Sequence, residues 1–249
     1  MNEVYLKILS IPAILIALCI HEYAHGRMAY ALGDPTAKYM GRLTLNPLRH
    51  LDPLGALMML LVGFGWAKPV PVNTRYFKNV KRDMALTALA GPFSNFLLAI
   101  LSAFLHLLVG YSYGLLAAAG LITEPIFYLW RAAYDFFYLL HVLNLSLGLF
   151  NLIPLPPLDG SRILGVLLPE RAYETVMRYE RQIYYGVLAW LFLGPTLVRY
   201  LLRLSVVATS PTLRVLVKLL SPTGFLGDAV SFLSDLIFRV FSLIPFLSF

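Results

Sequence analysis

Two histidines four residues apart, His21 and His25, flank Glu22 in the run His-Glu-Tyr-Ala-His. Side chains at i and i+4 share one face of an α-helix, so both imidazoles can bind a single zinc ion, with Glu22 beside them as general base. At this chain's His and Glu frequencies, chance would produce the pattern in about 0.002 of sequences of this length, so it stands clear of background. The plainer reading is a set of buried polar groups bonded to neighbouring helices, which is costly at membrane depth. Catalytic zinc takes three protein ligands and keeps one position open. His106 and His141 fall at unsuitable depths in their helices, whereas Asp159 lies in Asn-Leu-Ile-Pro-Leu-Pro-Pro-Leu-Asp-Gly, where prolines suppress helix and bring a carboxylate to the right level. Its competing roles are a helix N-cap for the stretch from Ser161 or a partner for Arg162. Asn95 and Asn151 are amides at the same depth, able to hold a substrate carbonyl or an oxyanion, or else to bond one helix to another.

The elements that must position these groups follow from composition. Apolar residues make up 59% of the chain and charged residues 13%, against about 45–50% and about 25% in a soluble domain. That excludes an ordinary water-soluble globule. Apolar runs recur from end to end, so the expected fold is all-α and integral to a membrane: a polytopic helical bundle with a short re-entrant or β-hairpin segment near residues 54–73. The formal charge of +7 sits on Lys and Arg beside apolar segments, where orientation signals and anionic-lipid contacts belong, so nucleic acid is not an expected partner. Cys19 is the single cysteine, which rules out an internal disulfide and argues against thiolate metal sites.

Residues 5–32 read as one helix, roughly 40 Å long, ended by Gly33, Asp34 and Pro35. Its first part has the length of a signal-peptide core, but Glu3 and Lys7 make a poor basic leader and no small-residue cleavage pattern follows Ile20. Further crossings are expected over residues 84–109, 125–150 and 183–204, the last kinked at Pro195. Residues 54–66 are too short and too Gly-broken to cross, and residues 63–73 have the Gly and Pro spacing of extended chain. Asn46-Pro47 and Asp52-Pro53 are turn formers, and Arg131 with Asp135 is a local i, i+4 ion pair. Eight basic residues lie in 33–83 and four in 151–182, with none in 110–124. The positive-inside rule then puts the N-terminus outside and both chemistry-bearing segments at the cytoplasmic face of a cell membrane. Residues 1–204 form the expected core. Residues 205–249 are expected as amphipathic or membrane-associated helices, with Asp228, Ser231, Asp235, Arg239 and Ser242 in a polar stripe that faces either the interface or protein.

Three stretches, residues 21–34 (HEYAHGRMAYALGD), 90–95 (AGPFSN) and 151–164 (NLIPLPPLDGSRIL), closely resemble the site-2 protease family of intramembrane zinc metalloproteases in its short prokaryotic form. The likeness runs from about Val4 to Leu204, with no stretch fit for a PDZ or CBS insertion. It implies one zinc ion per chain held by His21, His25 and Asp159, with Glu22 as acid and base. It also implies a membrane-anchored protein as substrate, cut in or near its transmembrane helix in regulated intramembrane proteolysis. Such a helix must unwind locally, and the extended stretch at 63–73 is expected to receive the freed strand by edge addition. The rival readings are an HtpX-like membrane zincin, in which Glu170, Glu174 or Glu180 would replace Asp159 and exposed loops would be cut, and a metal transporter.

Overall fold

The computed structural model describes residues 3–55, 67–203, 210 and 222–244. Uninterrupted apolar sequence forms α1 (Glu3–Ala31), and Gly33 stops it with a φ of +107°, a region open to glycine without a Cβ penalty. A polar connection follows with the single turn α2 (Thr36–Tyr39). Asn46 caps a 3₁₀ turn and Asp52 accepts from the Gly55 N–H, so both act as the turn formers the sequence suggests. Next come α3 (Val80–Ala118), α4 (Glu124–Asn151), α5 (Asp159–Leu167), α6 (Glu170–Arg178), α7 (Glu180–Arg203) and α8 (Pro222–Ser242).

The protein is an all-α polytopic membrane protein. Helices α1, α3 and α4 are each long and apolar enough to cross a bilayer. The two limbs of α7, bent by 48° between Gly194 and Thr196, make a fourth if they form one span, and the bend falls at the kink expected of Pro195. Helix α3 is longer than the crossing expected at 84–109. Asn79 caps it a turn earlier, accepting from the Arg82 N–H, and Gly110 and Gly114 do not break it. Each glycine costs about 1 kcal/mol of helix propensity, but in lipid a broken helix would strand backbone groups that no water can satisfy, so the helix continues.

Helices α1, α3 and α4 pack as the central unit, with α5 against α3 and α8 mainly against α4. Buried positions in this unit are largely small, including Ala13, Ala17, Ala88, Ala99 and Ala103. Lipid tails are as apolar as Leu, so the hydrophobic effect does not hold such helices together; close approach and dispersion do, and small side chains permit both. On α8, Val230 with Leu233 and Ile237 packs on Ala99 and Leu145, while Asp228, Ser231, Asp235, Arg239 and Ser242 are exposed. The polar stripe therefore faces away from the protein.

Much of the expected re-entrant or hairpin segment, residues 56–66, lies outside the described residues. Its flanks do meet: Leu51 and Ala67 form an isolated antiparallel bridge, and the Lys68 N–H donates to the His50 carbonyl at 2.8 Å. From Lys68 to Asn73 the chain runs without helix over the C-terminal part of α1, strapped down by two buried charged residues. Asp34 accepts from the Asn73 N–H at 2.7 Å and from Thr36, and the Arg42 guanidinium donates to the Lys68 and Pro69 carbonyls.

Candidate metal centre

One turn of α1 carries His21 and His25, and the α4–α5 connection brings Asp159 to them. Asp159 Oδ2 lies 3.3 Å from the Nε2 atoms of both histidines, which are themselves 3.0 Å apart. His25 Nδ1 is 2.7 Å from the Thr87 carbonyl. That oxygen can only accept, so His25 carries its proton on Nδ1 and turns the Nε2 lone pair inward. His21 Nδ1 is likewise held, 2.6 Å from Asn95 Oδ1. The buried Asp159 Oδ2 has no hydrogen-bond partner despite its two close nitrogens. With both imidazoles neutral, three electron-pair donors face one another. That arrangement is repulsive alone and fits a cation at the common point, and the donor set of two imidazoles and one carboxylate suits zinc.

Local sequence explains the convergence. Gly91 on α3 faces the imidazole pair so closely that a Cβ there would overlap the ring of His25 and press on that of His21. Gly160 is equally confined, since a Cβ would collide with the Leu152 and Ile153 carbonyl oxygens, where the proline-rich connection folds back on the start of α5. Asp159 is the first residue of α5, where the helix dipole favours a negative charge. It caps nothing, and Arg162 is spent on Glu180 at 2.7 Å, so neither competing role for Asp159 applies. Burial by itself pushes the Asp159 carboxyl up, but in the metal-free protein protonated imidazole facing it outweighs burial and holds it at about 2.

Glu22 points beside this cluster, and its Oε2 accepts from the Val70 N–H at 2.8 Å, a bond from the extended stretch that the sequence does not announce. The flanking Pro69 and Pro71 have no N–H, while those of Lys68 and Asn73 go to His50 and Asp34. The N–H groups of Lys68, Val70 and Asn73 are thus already taken, which narrows the donors that 68–73 can offer an incoming strand. Two clefts meet at His21 and Glu22. One, of about 380 Å³, is lined by polar groups including His25, Asp159, Thr87 and Arg162; the other, of about 290 Å³, is walled by Leu18, Leu147, Phe150, Val187 and Leu188. Asn151 lines both and donates to its own helix at Leu147.

Asn95 is fully buried with its amide committed to His21, Asn144 at 2.7 Å and the Ala17 carbonyl. It supports His21 and, with its amide so committed, bonds one helix to another instead of holding a substrate carbonyl. His106 and His141 stay apart from the cluster: His106 bonds and stacks on Tyr134, and His141 bonds the Ala99 carbonyl and Ser234. Glu170 pairs with Lys81 and Glu180 with Arg162. His21, His25 and Asp159 are the one such group of potential ligands among the described residues.

A bundle of apolar helices that gathers two histidines and an aspartate beside a glutamate has the make-up of a membrane metalloenzyme, and similarity to known proteins narrows that class to a metalloprotease. A family profile, Peptidase family M50, matches residues 9–194, and the chain belongs to that family. It is 42% identical over 184 residues to YwhC of Bacillus subtilis, covering 74% of this chain and 78% of YwhC. With Rip2 of Mycobacterium tuberculosis it shares 34% identity over 197 residues, covering 76% of this chain and 68% of Rip2. Both relatives are provisionally named as zinc metalloproteases. No solved structure matches the chain at a significant level.

Proposed function

We propose that the chain is an intramembrane-cleaving zinc metalloendopeptidase, holding one zinc ion through His21, His25 and Asp159 and hydrolysing peptide bonds in or near transmembrane segments of membrane-anchored proteins. The observation that carries this reading is the meeting of three inward-facing ligand atoms within 3.3 Å of one another, beside a glutamate. Zinc bound there supplies Lewis acidity, acidifying water and polarising a peptide carbonyl. Glu22 takes the proton from the attacking water and returns it to the leaving amine. The Val70 N–H holds one carboxylate oxygen of Glu22, which leaves the other for that work. In this reading Asn151, which lines both clefts, donates to the scissile carbonyl with the amide hydrogen that Leu147 does not take.

The two clefts support a substrate that arrives from lipid. The apolar one between α1, α4 and α7 suits a side chain from an unwound transmembrane helix, and the polar one supplies water and room for the cut ends. Basic loops on one side favour a site toward the cytoplasm and an outside N-terminus. The role that follows is release of a membrane-tethered protein in regulated intramembrane proteolysis.

The test is purified protein in detergent or bilayer, assayed against a panel of single-span substrates beside Glu22→Gln. Wild-type protein is expected to cleave within or next to the span, while Glu22→Gln retains its zinc and cuts nothing. Equal cleavage by both forms overturns the assignment.

A further inference from the structure

Behind the ligands runs a chain of buried amides that no part of the proposed reaction uses. Asn95 on α3 and Asn144 on α4 are both fully buried. Asn144 Nδ2 is 2.7 Å from the Leu140 carbonyl of its own helix, Asn144 Oδ1 is 2.7 Å from Asn95 Nδ2, and Asn95 Oδ1 is 2.6 Å from His21 Nδ1. An amide can point either way unless its partners dictate the choice. Here they do. A backbone carbonyl only accepts, so Leu140 obliges Asn144 to present its NH₂ group there and its oxygen to Asn95. Asn95 must answer with its own NH₂ group, which also approaches the Ala17 carbonyl at 3.3 Å. Its oxygen is then left for His21 Nδ1, which must carry the proton.

We infer that Asn144 is a positioning residue for the metal centre: it orients the Asn95 amide and thereby holds His21 in the tautomer that turns its Nε2 lone pair toward Asp159 and His25. The inference rests on the reading of His21 as a ligand. An ordinary interhelical bond between α3 and α4 would work in either direction. This one is fixed at its far end by Leu140 and runs one way, toward a ligand. His25 reaches the same tautomer through the Thr87 carbonyl, a backbone group that cannot flip, so the relay supplies by side chains what His25 receives from the main chain.

The experiment measures zinc affinity by chelator competition on the full chain in detergent, together with thermal unfolding of the metal-free protein. Asn144→Leu and Asn144→Ala are each expected to weaken zinc by about 10- to 100-fold, the usual effect of removing an outer partner of a metal-binding imidazole. The decisive variant is Asn95→Asp in the Asn144→Leu background. A carboxylate accepts from His21 Nδ1 whichever way it is turned and needs no orienting neighbour, so affinity is expected to recover even if the metal-free protein stays less stable. A merely structural Asn144 would not be rescued in this way. Wild-type affinity in both single variants, or a double variant as weak as Asn144→Leu alone, overturns the inference. Wild-type protein that binds no zinc overturns the metal site itself, a different failure.

Discussion

In the metal-free protein Asp159 is pulled in opposite directions by burial and by positive charge on the imidazoles that face it, and the imidazoles prevail. Its carboxyl is lowered from its ordinary 3.8 to about 2. For a depressed carboxyl the sign is fixed: the stabilisation is fully present above 3.8 and is lost as pH falls through about 2. Metal-free wild-type protein is therefore expected to lose thermal stability over that acid range more steeply than metal-free Asp159→Asn, a comparison that scanning calorimetry or near-UV circular dichroism can make. Parallel curves would mean that the imidazoles do not stabilise the carboxylate. With zinc present, Asp159→Ala is expected to lose more affinity than the roughly 10–100-fold that removal of an outer partner costs, while Glu180→Ala retains its metal. The reverse result would favour a downstream glutamate as third ligand. These residues are legible in the sequence because ligand chemistry restricts residue type and because helical spacing aligns His21 with His25. The supports are less legible. Asn95 reads as an amide at membrane depth, but its attachment to His21 depends on how α3 rotates against α1, and Asn144, an amide at similar depth, gives no local sign of its partner.

At the level of elements, glycines set how near the helices can come. Gly91 lets α3 lie against the imidazoles of α1, and Gly160 lets the start of α5 tuck beneath the carbonyls of Leu152 and Ile153. The neighbours differ in what they can yield. An imidazole can swing aside, at the cost of the metal geometry, whereas backbone carbonyls cannot move without the whole connection. Gly91→Ala is therefore expected to lower zinc content while destabilising the fold by about 1–3 kcal/mol, as overpacking does. Gly160→Ala is expected to reduce folded protein outright, seen as a lower yield of monodisperse material. Gly114, where a Cβ would meet nothing within 4 Å, is the control. Its change to Ala should stabilise α3 by up to about 1 kcal/mol, because helical glycine is entropically costly. The helices themselves are readable from apolar length and the Pro195 bend. The strap at 67–73 is readable only as non-helical chain. That it binds Glu22 through the one N–H between two prolines depends on Asp34 and Arg42 anchoring it, and long-range bonds of that kind leave no local pattern.

For the molecule as a whole, α8 lies beyond the stretch matched by the family profile yet joins the central unit through a bond as well as by packing. Ser234 meets His141 Nε2 at 2.9 Å, and His141 Nδ1 meets the Ala99 carbonyl at 2.9 Å, so one imidazole ties α8, α4 and α3 together. Ala99 can only accept, which leaves the His141 Nε2 lone pair to receive the Ser234 hydroxyl proton. Removing that hydroxyl strands a fully buried acceptor, a loss of about 1–3 kcal/mol by the cost of an unsatisfied buried group, reduced toward about 0.6 kcal/mol if the unfolded chain in detergent finds another partner. Ser234→Ala is expected to lower the Tm of the full chain while leaving zinc affinity and cleavage unchanged, because the amide relay ends at Leu140 and makes no bond to His141 or α8. His141 and Asn144 are nonetheless one turn apart on α4. Should Ser234→Ala weaken zinc as Asn144→Leu is expected to, helix packing at α8 would have to be transmitted along that turn to Asn144, and α8 would count as part of the support of the metal centre instead of a brace on the bundle.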